Sequence, residues 1–95
     1  MSSEIKMPLA KAQIIADRFI AYIKPFCKEV CVAGSVRRES EYCGDVEVVV
    51  IPLDEFAMGR CFPEGYSGMV VNGTRLKRFK YANNVQIELY ITNQS

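Results

Sequence analysis

The sequence predicts an α/β (α+β) domain: a mixed, mostly antiparallel sheet of about five strands, with a long N-terminal helix on one face. Three observations predict it. Residues 8–24, "PLAKAQIIADRFIAYIK", repeat apolar side chains at three- and four-residue steps, the period of a helix. "EVCVAG", "GDVEVVVIP" and "VQIELYIT" are short β-branched runs, the last with clean alternation. Asn72-Gly73, set between two extended runs, is a type I′ hairpin signal.

Each element has its local reason. In the helix, Leu9, Ala12, Ala16, Phe19, Ile20 and Ile23 form the apolar stripe. Pro8 suits the first helical turn, and Pro25 argues for a stop near Lys24. Residues 29–34 follow as a strand, then a brief helix from about Val36 with Ser35 as its N-cap. In the next strand, stopped by Pro52, Val46, Val48 and Val50 share one face. Asp45, Glu47, Val49 and Ile51 share the other. Residues 52–67 read as irregular, with Met58, Phe62 and Tyr66 as packing residues. After the hairpin, Asn83-Asn84 offers another turn. In the last strand Val85, Ile87, Leu89 and Ile91 point inward, and Gln86, Glu88 and Tyr90 outward.

At 95 residues the chain is one domain, spanning residues 1–95. Apolar residues make up 49% and charged residues 24%, which is globular composition and excludes a disordered or membrane-embedded chain. No apolar run approaches a membrane span, and "MSSEIKMPLA" lacks the apolar core of a signal peptide, so a cytoplasmic protein is expected. Cys27, Cys31, Cys43 and Cys61 form no CxxC and the chain has no His, so reduced thiols are expected over a zinc site. A net charge of +1 excludes a polyelectrolyte binder, but the charge is uneven. Glu39, Glu41, Asp45 and Glu47 crowd the middle, while Arg75, Lys77, Arg78 and Lys80 cluster near the end.

The stretch "GSVRRESEYCGDVEVVV" holds the chemistry. Asp45 and Glu47 lie about 7 Å apart on one strand face, opposite the valine core. Glu88 also lies opposite its own strand's core face, so adjacent strands would gather three carboxylates. Such a gathering repels itself unless a cation intervenes, and hard oxygen ligands suit Mg²⁺. Ahead of the acids, Gly34-Ser35 sits where a strand turns into a helix, offering free N–H groups and a hydroxyl to a phosphate. Arg38 adds a forked guanidinium, and Gly44 permits close backbone approach beside the acids.

This pattern resembles the nucleotidyltransferase superfamily signature, and "GSVRRES…GDVEVVV" is most similar to family X DNA polymerases, the DNA polymerase beta type. The likeness is specific over residues 30–52 and extends more weakly to "VQIELYI", covering the catalytic palm. It implies that Asp45 and Glu47 bind two Mg²⁺ ions, with Mn²⁺ as the alternative metal. Glu88 would be the third carboxylate, near the primer 3′-hydroxyl. Gly34, Ser35, Arg38 and Gly44 would hold the phosphates of a nucleoside triphosphate, and Arg37 matches the other arginine of the pair. The polymerases carry Asp where this chain has Glu47 and Glu88. Their lyase and thumb regions lie outside these residues, which implies a piece of a longer chain.

The implied reaction is nucleotidyl transfer from a nucleoside triphosphate to a 3′-hydroxyl, with a DNA primer-template as partner. Two alternatives stand beside it. One is a minimal nucleotidyltransferase acting on protein or RNA; the other is a degenerate palm that only binds nucleotide or DNA. Arg75, Lys77, Arg78 and Lys80 read equally as DNA-phosphate contacts and as lysine-rich protection of an edge strand.

Overall fold

A computed structural model describes residues 6–62, 69–81 and 85–92. Helix α1 (Leu9–Ile23) lies across one face of a sheet and buries Ala12, Ile15, Ala16, Phe19 and Ile23. Leu9 and Ile20, expected in that stripe, are half-buried at its margin, and Ile15 takes a central place. Pro8 precedes the helix with extended backbone rather than occupying its first turn. A single 3₁₀ turn, Lys24–Phe26, carries Pro25 and ends the helix where expected.

Strand β2 (Cys27–Ala33) leads into the one-turn helix α2 (Gly34–Arg37). Strand β4 (Val46–Pro52) is the valine strand, and α3 (Ala57–Cys61) follows it. The hairpin β5 (Met69–Asn72) and β6 (Leu76–Lys80) leads to β7 (Gln86–Ile91). Two further residue pairs, β1 (Met7–Pro8) and β3 (Tyr42–Cys43), bridge antiparallel to each other. That bridge ties the start of α1 to the loop ahead of β4, and the Leu9 N–H donates to the Glu41 carbonyl at 3.1 Å.

The main sheet has five strands in the order β2-β4-β7-β6-β5. Only β4 and β7 run parallel; the other neighbours are antiparallel. The α/β class, the five-stranded mixed sheet and the long N-terminal helix thus match expectation. Val46, Val48, Val50, Ile87, Leu89 and Phe79 fill the helix-facing side, all at 1% exposure or less. Phe19 is the centre of that core, with ring contacts to Phe79 at 5.4 Å, Tyr81 at 5.6 Å and Phe62 at 6.4 Å. Burying one such side chain contributes about 1.5–3 kcal/mol.

Several local expectations are corrected. Ser35 does not cap α2: the flanking residue is Ala33, with no side-chain capping bond, and Ser35 lies inside the turn. Gly34 with φ +65° starts α2 directly from β2 and leaves no separate capping position for Ser35. Asn72-Gly73 is not the centre of its hairpin. Asn72 pairs with Lys77 and the Gly73 N–H donates to the Leu76 carbonyl at 2.9 Å, so Thr74-Arg75 forms the tip. A register shift between Met69 and Val71 accompanies that displacement. The span 52–67, expected to be irregular, contains α3, whose Ala57 and Cys61 pack inward. Met58 and Phe62 pack against the core as expected; Tyr66 and the Asn83-Asn84 turn lie outside the described residues. All four cysteines are free thiols, three of them buried. Among the described residues no helix is long and apolar enough to cross a membrane.

Candidate functional site

The open face of the sheet carries the polar cluster. In the β4–β7 ladder Glu47 stands beside Glu88, and two residues back along the parallel strands Asp45 precedes Glu47 and Gln86 precedes Glu88. Asp45 therefore lies just ahead of β4 rather than inside it, and the Gln86 amide donates to its Oδ2 at 3.2 Å. The β6–β7 ladder sets Arg78 beside Glu88 on the other side. Parity alone decides this: Glu47, Glu88 and Arg78 form one row across three adjacent strands, while Val46, Ile87 and Phe79 form the matching row underneath.

Glu88 points to the open face, as expected, but it is only 8% exposed there. Its neighbours cover it. Arg78 Nε donates to Glu88 Oε2 at 2.8 Å and Nη2 approaches the same oxygen at 2.7 Å, while the Tyr90 hydroxyl donates to Oε1 at 3.3 Å. These are charge-assisted bonds, and they hold the carboxylate in place.

Glu47 has the opposite character. Burial first, then the facing Glu88 carboxylate and a hydrogen bond with it, push the Glu47 carboxyl above its ordinary value of 4.5. The Arg38 guanidinium pulls it partly back, and Asp45 adds to the repulsion. A group whose folded-state value is raised favours the fold only while protonated. That contribution is complete below about 4.5 and is lost as pH rises through the folded value. Glu47→Gln is therefore expected to be more stable than the wild type at neutral pH. The expected gain is up to about 1 kcal/mol, the usual scale of a cross-strand charge effect. Urea melts at pH 7 and pH 4 check it: the gap should be open at pH 7 and closed at pH 4.

Gly34 completes the site's wall. Its backbone is left-handed, and a Cβ there would coincide with the Glu47 carboxylate. The turn from β2 into α2 therefore requires glycine twice over, for conformation and for space. Gly34→Ala is expected to cost about 1–2 kcal/mol from the backbone alone and to displace Glu47. A denaturation cycle with Glu47→Ala separates the parts: relief in the double variant measures the overlap, and the remainder measures the backbone.

The other expected residues fall as follows. Ser35 and Gly44 are half-buried on the two segments flanking the acids, and Arg38, at the end of α2, is exposed with its charge acting on Glu47. Arg37 is exposed beside it. The basic stretch does not act as one patch. Arg75 lies at the far hairpin tip; Lys77 turns to the helix side with its amine 5.9 Å from the Phe62 ring centre. Arg78 is bound to Glu88, and Lys80 is exposed in register with Gln86. Sequence reasoning missed the parts played by Gln86, Tyr90 and Arg78. For the first two the alternation of β7 was a signal; for Arg78 only the strand register could give it.

Among the described residues no three Cys, Asp or Glu side chains gather as a group ready to hold a metal ion. Asp45 and Glu47 nonetheless offer hard oxygen donors, and Mg²⁺ commonly takes only one or two carboxylates, completing its shell with water and phosphate. The raised Glu47 value marks a place where a cation would relieve repulsion. Glu88 is the misfit, since both its oxygens are engaged. No family model matches the chain, and no curated protein matches its sequence.

Proposed function

We propose that the chain is a nucleotidyltransferase palm of the family X polymerase type, transferring a nucleotide from a nucleoside triphosphate to a 3′-hydroxyl. One observation carries the reading: Glu47 and Glu88 face each other on parallel neighbouring strands, with Asp45 a step away and a left-handed Gly34 turn against Glu47. The resemblance of "GSVRRES…GDVEVVV" to that family supports it from the sequence side.

In this reading Asp45 and Glu47 would hold Mg²⁺. When bound, the metal supplies neutralisation of the triphosphate and acidifies the attacking hydroxyl. Gly34, Ser35 and Arg38 would receive the outgoing phosphates, with Gly44 giving the backbone room beside the acids. The hydroxyl oxygen would attack the α-phosphorus, its proton passing to solvent water, as the bond to pyrophosphate breaks. Glu88 would orient that hydroxyl, which requires its oxygens to exchange away from Arg78. Catalysis of this kind is mostly positioning and charge stabilisation.

A second reading, a degenerate palm that only binds nucleotide or DNA, is favoured by the Arg78–Glu88 ion pair, which uses up the third carboxylate. Transfer of labelled nucleotide by the full-length protein to primed DNA, to RNA ends and to protein separates the readings. The polymerase type requires metal-dependent labelling of primed DNA. Labelling of RNA or protein alone assigns a different acceptor, and no labelling assigns the binding-only palm.

A further inference from the structure

Strand register divides the open face into rows. Ala33, Glu47, Glu88 and Arg78 form one row across β2, β4, β7 and β6. Two residues further along, the same pairings set Cys31, Val49, Tyr90 and Leu76 side by side on those four strands. This second row carries no formal charge in its ordinary protonation states. Residues two apart on a strand are separated by about 7 Å, and neighbouring strands by about 4.8 Å. The two rows therefore adjoin, and the second is a strip about 14 Å long and one side chain wide.

Val49 and Leu76 are half-buried, while Tyr90 keeps 38% exposure although its hydroxyl donates to Glu88 Oε1 at 3.3 Å. That bond ties the ring to the carboxylate proposed to orient the acceptor hydroxyl. Core packing does not account for the ring, because the core lies on the other face with Val48, Val50 and Leu89. On the strip's far side Glu29 is exposed in register with Ile51, so ionisable groups flank the strip on both sides. A protein partner needs about 800 Å² on each side of its contact, more than so narrow a strip offers. A flat base suits it, since every base has a π-face that an aromatic side chain can stack on. The side of the sheet also matters. Gly34 and Ser35 follow β2, on the Glu47 side, whereas Tyr90 and Leu76 lie on β7 and β6, on the Glu88 side. A base over Tyr90 is therefore the acceptor's and not that of the triphosphate.

We propose that Tyr90, flanked by Val49 and Leu76, is the platform on which the terminal base of a nucleic-acid acceptor stacks, bringing its 3′-hydroxyl to Glu88. The proposal rests on the nucleotidyl-transfer reading and narrows its acceptor to a strand that ends in a base. Tyr90 is a positioning residue: it sets where the acceptor sits and gives no group to the reaction.

A short single-stranded oligonucleotide ending in 5-iododeoxyuridine, irradiated with the intact chain in EDTA, tests the platform without any transfer. A carbon–carbon bond joins base and tyrosine ring as the C–I bond and a ring C–H bond break, releasing hydrogen iodide. Peptide mass mapping is expected to place the adduct on Tyr90, about tenfold ahead of the exposed Tyr22 and Tyr42. By fluorescence anisotropy, Tyr90→Ser should raise the Kd of the same oligonucleotide about tenfold. Tyr90→Phe keeps the ring, loses the Glu88 bond and should restore the Kd to within about twofold. A merely structural Tyr90 would instead change the melt and leave the Kd alone. An adduct on other residues, even labelling, or an equal Kd in Tyr90→Ser overturns the platform. The reaction is judged separately on the same oligonucleotide. A Tyr90 adduct without metal-dependent transfer keeps the platform and leaves a binding-only palm; transfer without a Tyr90 adduct keeps the reaction and removes the platform.

Discussion

Asp45→Asn in the full-length protein is expected to lower metal-dependent nucleotide transfer by at least about 10²–10³-fold, the scale of losing one preorganised charge-stabilising group. The substitution keeps shape and can keep the hydrogen-bonding relation with the Gln86 amide, but it removes the formal charge. The fold should tolerate it, because Asp45 precedes β4 and is only half-buried. It also removes one source of the repulsion that raises Glu47. A variant as stable as the wild type yet inactive is therefore the signature of a site residue. Steady-state transfer rates beside thermal melts of the same preparations provide the check. Equal rates in variant and wild type would remove Asp45 from the chemistry.

Phe19→Ala is expected to destabilise the domain by about 3–5 kcal/mol. Phe19 is fully buried and meets Tyr22, Phe62, Phe79 and Tyr81, so truncation leaves a cavity bounded by α1 and β6 that rings cannot readily close. A loss of that size is a large share of the about 5–15 kcal/mol of a typical domain. Urea denaturation followed by far-UV dichroism measures it. Phe19→Leu should recover most of the loss, since it restores volume. A change below about 1 kcal/mol for Phe19→Ala would contradict the central place given to this ring.

The sequence carried the fold through periodicity. Val46, Val48 and Val50 alternate with Asp45, Glu47 and Val49, and Ile87 and Leu89 with Gln86, Glu88 and Tyr90, so both the buried and the open faces were legible. That same alternation brought Asp45, Glu47 and Glu88 to one face before any contact was known. What the residues did not reveal was register. Arg78 reads as a free cation in "RLKRFK", and only the β6–β7 pairing sets it on Glu88. Lys77, one residue away, goes to the helix side, so the basic run is divided by the pleat. Asn72-Gly73 misled because turn propensity is local, whereas the hairpin tip is fixed by the pairing of Asn72 with Lys77. Ser35 misled for a related reason: Gly34 in the left-handed region starts the turn one residue early.

The central claim is that the acidic cluster on the open face receives a divalent cation together with a nucleoside triphosphate. Melting temperature followed while Mg²⁺ and a deoxynucleoside triphosphate are titrated together tests it most directly, because a ligand that binds the native state raises stability. The expected result is a rise at millimolar ligand that needs both components and disappears in Asp45→Asn. No rise, or an equal rise in the Asp45→Asn variant, would contradict it.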